Sequence, residues 1–273
     1  MVGASSVEGT SFFRIILPIA LAGVAASSLR HHLRTPPPTF LEHSKVVLAL
    51  GAMAFVLIPP TLYAIFIHAP VELQMGIVQK IFYFHVPSAY AMYLAFGTSG
   101  AGCLLYLWRK HPRWDALAVA GGEVGLVFCA MVLFTGPLWA RKAWGTYWTW
   151  DPRLTTTLLV GLIFMAFNIL RHFGEGGESE KRFAAALAAL GLLLLPVIHY
   201  SVQKWRGQHP TVIGKGGGGI HPDMVPALVL GFALFSALAI LFLVLRYRIE
   251  TIRQRTRELE AELALKGLIE EGS

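Results

Sequence analysis

Between two long apolar runs stands the stretch WGTYWTWDPRLT, residues Trp144 to Thr155, in which three tryptophans and a tyrosine lead into an Asp-Pro-Arg triplet. Side chains of these types offer two kinds of contact. Indole and phenol rings present broad apolar faces with a polar edge, and Asp151 and Arg153 place fixed charges beside them. If residues 144–150 form a short helix lying on a membrane surface, Trp144 and Trp148 are four apart and share a face, while Trp150 points elsewhere. Asp151 precedes Pro152, which biases it out of the helical region, so Asp151 is expected to cap a helix that Pro152 opens. Two readings fit. One is an aromatic belt of the kind that gathers at membrane interfaces, with Asp151 as a plain cap. The other is a platform for a planar aromatic ligand.

Two of the ten histidines fall inside apolar runs near the tryptophan stretch: His85 in IFYFHVP and His199 in LLLPVIHYSVQKW. His85 lies just inside the start of its run and His199 just inside the end of its run, so across alternating spans both fall at the same depth on the side of the tryptophan stretch. Ionisable groups at membrane depth are expensive and are functional candidates by default. A lone one is more often packed or hydrogen-bonded than a ligand, but two at matched depth beside an aromatic surface form a donor set suited to haem iron, which takes axial histidines. Arg153, Arg141 or Lys142 could pair a propionate. The loop histidines His68, His209 and His221 are most simply solvated. Glu123 is read as a structural or proton-related residue within the third run. Cys103 and Cys129 sit far apart in apolar runs with no CxxC, and are read as small buried residues rather than a metal or redox pair.

The elements that must position these groups follow from composition. Of 273 residues, 55% are hydrophobic and only 14% charged, and the mean hydropathy is +0.58. A soluble domain carries about 25% charged residues. Six runs, at about 46–68, 81–107, 116–139, 154–172, 183–203 and 224–246, are long enough to cross a hydrocarbon core of ~30 Å as helices, in which each run satisfies its own backbone without water. The expected fold is therefore an all-α polytopic membrane protein of six transmembrane helices, with a short external tryptophan-rich amphipathic helix between spans 3 and 4. Residues 1–45 form an N-terminal extension in which 12–28 fit a seventh span, an interfacial helix or part of a signal-like segment, the interfacial helix being the favoured reading; 46–246 form the six-span domain, and 247–273 a charged helix continuing into solvent. Pro59 and Pro60 should kink the first span or end its regular ladder.

Charge then sets orientation. Sixteen Lys and Arg lie on the side of the termini and seven on the other. The richer side should be cytoplasmic, which turns the tryptophan stretch and the matched histidines outward. The net charge of +7 is thus an orientation signal and does not imply nucleic acid. The glycine-rich TVIGKGGGGIHPD lacks the phosphate-loop pattern and reads as a flexible outer loop.

Taken together, WGTYWTWDPRLT, HVP at His85, TGPLWARKAWG and LPVIHYSV around His199 resemble the haem exporter protein C family of cytochrome c maturation, within the superfamily bearing the tryptophan-rich WGxxWxWD motif. The resemblance covers roughly residues 40–250 and has matching span order. It implies a protein of the bacterial inner membrane that presents haem b on its outer face and delivers it, without classical enzyme activity. It further implies that His85 and His199 are axial ligands of the iron, and that Trp144, Gly145, Trp148, Trp150 and Asp151 form the platform, with Tyr147 and Arg153 beside them. The implied partners are a membrane-anchored haem chaperone, a small accessory membrane subunit and an ATP-driven transporter complex. Tyr147 stands where the family often has tryptophan, which keeps an aromatic face and adds a hydroxyl. Alternatives are the haem-lyase subunit of a cytochrome c synthase, whose motif usually runs on as WDPKE or a similar acidic continuation where this chain has WDPRLT, and a haem transporter, which an inverted repeat would favour.

Overall fold

The computed structural model describes residues 40–174, 177–205, 207–209 and 219–266. The chain separates into two units, Met1–Ala49 and Leu50–Ser273, and the second holds nearly all of the described residues. Helix α1 (Phe40–Tyr63) passes through Pro59 and Pro60 before its ladder changes, at Ala64–His68, to a π-helical turn. A 3-10 turn (Ile77–Ile81) leads into α2 (Phe82–Arg109); then come α3 (Pro112–Trp144), α4 (Pro152–Phe173), α5 (Glu178–Trp205) and α6 (Val225–Leu265). Six of these helical segments are long and apolar enough to cross a membrane, so the all-α, multi-pass expectation holds. The suggested helix at 12–28 and the glycines at 216–218 lie outside the described residues.

One expected element is absent. The tryptophan stretch is not a separate helix. Instead α3 runs on to Trp144 and stops at Gly145, whose φ of 76° is left-handed, and residues 145–151 carry no helix before Pro152. Glycine reaches that conformation without a Cβ penalty and terminates helices for this reason. Trp144 and Trp148 therefore do not share a helical face.

Helices α2 and α3 form the centre, and α4, α5 and α6 pack around them. Lipid tails are as apolar as leucine, so association of such helices depends on close packing by small residues. A Cβ at Gly121 of α3 would lie 2.5 Å from the backbone nitrogen of Ser99 in α2, so the two backbones touch there. Beside this seam Phe96 of α2 and Phe164 of α4 stack at 4.0 Å with planes 7° apart. The stack is held between Gly125 of α3, where a Cβ would come within 2.2 Å of Phe96, and Gly191 of α5, where it would come within 2.7 Å of Phe164.

The end away from the tryptophan stretch is tied by charge. Arg171 of α4 meets Asp115 of α3 at 2.6 Å, both side chains almost wholly buried. Gln254 of α6 donates to the same carboxylate at 2.9 Å. Glu123 of α3 pairs with His172 of α4 at 3.0 Å and with Arg246 of α6. The sequence left Glu123 open between two roles; its contacts are those of a clamp between three helices. A buried charge with a missing partner is costly, which gives this knot a strong preference for one arrangement.

Candidate functional site

The opposite end gathers the residues singled out by the sequence, each on a different support. The left-handed turn at Gly145 is braced by Arg141, one turn earlier in α3, whose guanidinium donates to the Gly145 carbonyl and lies 5.6 Å from the Tyr147 ring centre. Arg141 is thus committed to shaping the stretch. The rings pair edge to face: Trp144 with Trp139 at 5.7 Å, and Trp148 with Trp150 at 5.8 Å. Such pairs contribute about 0.5–1.5 kcal/mol each beyond their burial, and fix ring planes in an otherwise irregular segment. Trp144 and Trp148 are half-buried, whereas Tyr147 is 56% and Trp150 76% exposed. The stretch therefore offers open aromatic faces on a supported base.

Asp151 anchors that base. It is buried, and its carboxylate accepts from Arg153 N at 2.9 Å and from Gln208 N at 2.6 Å. The first bond is the N-cap expected from the Asp-Pro dipeptide. The second pins the segment after α5 against the start of α4. Gly207 permits the approach, since a Cβ there would lie 2.1 Å from the carboxylate oxygen.

Arg153 is the junction. Its Nε donates to the Ile198 carbonyl at 3.3 Å, its Nη2 to the His199 carbonyl at 2.9 Å, and its Nη1 contacts His209 Nδ1 at 3.2 Å. Guanidinium is donor-only, so His209 accepts through Nδ1. Guanidinium has five N–H groups, and these contacts use three of them. His209 in turn stands beside His85, ring centres 6.5 Å apart and planes 31° apart. On its other side His85 Nδ1 lies 2.9 Å from the Thr135 hydroxyl of α3.

His85, near the start of α2, is half-buried, and His199, near the end of α5, is exposed with its ring edge-on to Tyr200. No ring contact joins the two among the described residues. Arg153 connects their surroundings, through the carbonyl of one and the ring beside the other. His209 and Thr135 were not among the residues picked from sequence. His209 looked like a solvated loop residue because nothing local marks its fold-back onto Arg153. Thr135 sits within the TGPLW landmark, but its partner is 50 positions away. Both cysteines are buried and unpaired, and no cluster of three or more His, Cys, Asp or Glu suited to a metal ion occurs among the described residues.

The family model for Heme exporter protein C matches residues 30–262. The chain is 33% identical over 228 residues to Heme exporter protein C of Bradyrhizobium diazoefficiens, covering 82% of this chain and 86% of that protein. It is 31% identical over 207 residues to Heme exporter protein C of Escherichia coli K12, covering 72% and 81% respectively. A ccmC-like mitochondrial protein of Marchantia polymorpha, named for cytochrome c biosynthesis, is 33% identical over 181 residues, or 66% of this chain and 77% of that protein.

Proposed function

The chain belongs to the heme exporter protein C family, and from that premise we propose that it holds haem b at the outer face of the cytoplasmic membrane and delivers it to a membrane-anchored haem chaperone during c-type cytochrome biogenesis. Haem is the cargo, and the protein positions it. In this reading His85 and His199 supply the axial nitrogens, and Trp144, Gly145, Tyr147, Trp148 and Trp150 form the apolar platform. Asp151 holds the platform in register, and Arg153 faces a propionate with the N–H groups its protein contacts leave over. Both termini are cytoplasmic, and an accessory membrane subunit and an ATP-driven transporter complex complete the pathway.

The observation that supports this most is the convergence on Arg153. One side chain, two residues beyond the last tryptophan-flanked acid, bonds the His199 carbonyl and the ring that lies beside His85. Four separate pieces of chain thus meet at one end of the bundle, with aromatic faces open beside them. Bound haem would contribute the iron and a large apolar disc; the chain's own residues hold, orient and screen it. The openness of Tyr147 and Trp150 suits handing on rather than long storage, because a partner can approach without the site first unfolding.

The test is an absorption spectrum of the protein purified from membranes. Bis-histidine b-type haem is expected, and His85→Ala or His199→Ala should remove or alter its spectrum. If both variants keep the wild-type haem spectrum, the ligand assignment fails.

A further inference from the structure

We infer that Thr135 is a positioning residue for His85, fixing its tautomer so that Nε2 is the nitrogen offered to a metal. The inference rests on the reading of His85 as an iron ligand. A threonine hydroxyl has one proton to give and can also accept. Thr135 gives its proton to the Met131 carbonyl at 2.6 Å, since a carbonyl can only accept. The contact at 2.9 Å between the same oxygen and His85 Nδ1 must then run the other way, with Nδ1–H donating. In a neutral ring that leaves the lone pair on Nε2.

Back-bonding to the carbonyl four residues earlier is common in this bundle: Ser88, Thr98 and Ser236 all do it. What distinguishes Thr135 is its second partner, an imidazole nitrogen on another helix. The next residue supports the same role. A Cβ at Gly136 would lie 3.3 Å from His85 Cε1, the atom between the two ring nitrogens, so a side chain there would press on the ring beside the Thr135 bond. Thr135 therefore supplies the bond and Gly136 the clearance. A hydrogen bond accepted from the far nitrogen of a ligating histidine orients the ring and raises its basicity, which favours ferric over ferrous iron.

The experiment compares the full-length protein with Thr135→Val, which keeps the shape and loses the hydroxyl, Thr135→Ala, and Thr135→Ser, which keeps the hydroxyl. The first readout needs no haem: nitrogen NMR of histidine-labelled, haem-free protein in detergent, with His85 identified by the loss of its signals in His85→Gln. Wild type and Thr135→Ser should show the Nδ1–H tautomer, and Thr135→Val and Thr135→Ala should lose that preference. The second readout is redox titration of the haem-loaded protein. Thr135→Val and Thr135→Ala should shift the midpoint positive and weaken haem retention about tenfold, with Thr135→Ser restoring both. Wild-type tautomer and midpoint in both hydroxyl-free variants would overturn the assignment. Failure of the haem reading looks different: wild type would then carry no histidine-dependent haem spectrum, whatever the tautomer of His85.

Discussion

Both carboxylate oxygens of Asp151 are taken by backbone N–H groups, one at the start of its own helix and one 57 residues further on. Asparagine has a single acceptor oxygen, so Asp151→Asn can keep only one of these bonds, and it loses the charge. A hydrogen bond to a charged group contributes about 1.5–3 kcal/mol. Amide exchange at Gln208 should accordingly accelerate by roughly 10- to 100-fold, measured by hydrogen exchange with mass spectrometry; an unchanged rate would mean that Asp151 is only a helix cap. The cap was legible in the sequence because it is local, one residue before a proline. The Gln208 bond was not, because contacts between distant chain segments leave no periodic trace. Gly145 carried a signal that the helical reading of residues 144–150 passed over: a glycine directly after an apolar helical run is a common place for that helix to stop.

At the level of the helices, what decides packing is where side chains are missing. Gly121→Ala puts a carbon 2.5 Å from the Ser99 backbone nitrogen, and backbone cannot step aside as a flexible side chain can. Overpacking of this kind costs about 1–3 kcal/mol. Thermal unfolding in detergent should show a lowered midpoint for Gly121→Ala. Gly51→Ala is the control, since nothing lies within 4 Å of its added carbon and alanine is the better helix former; it should unfold at or above the wild-type midpoint. Equal midpoints for the two variants would refute the seam. Apolar length sufficed to find six helices, since hydropathy is a property of each run alone. Which helices touch is a property of pairs. The nearest sequence trace of it is the pair Gly121 and Gly125, four apart, the spacing typical of close-packed membrane helices.

For the molecule as a whole, the asymmetry of Lys and Arg predicts which way the bundle faces. Cys103 and Cys129 are both buried, so a new surface thiol can be read against little background. Thr146→Cys, in the exposed part of the tryptophan stretch, should react with an impermeant maleimide added to intact cells. Glu258→Cys, on the exposed tail of α6, should react only after the membrane is opened. The reverse pattern would overturn the orientation and, with it, the outward placement of the histidines.

Helix α3 holds α6 at Asp115 and Glu123 and holds His85 at Thr135. Glu123 and Thr135 are twelve residues apart, about 18 Å along one rod. A helix resists stretching far better than it resists bending, because stretching lengthens every hydrogen bond in the ladder at once. The distance between the charge clamp and the hydrogen bond to His85 is therefore set along the axis of α3.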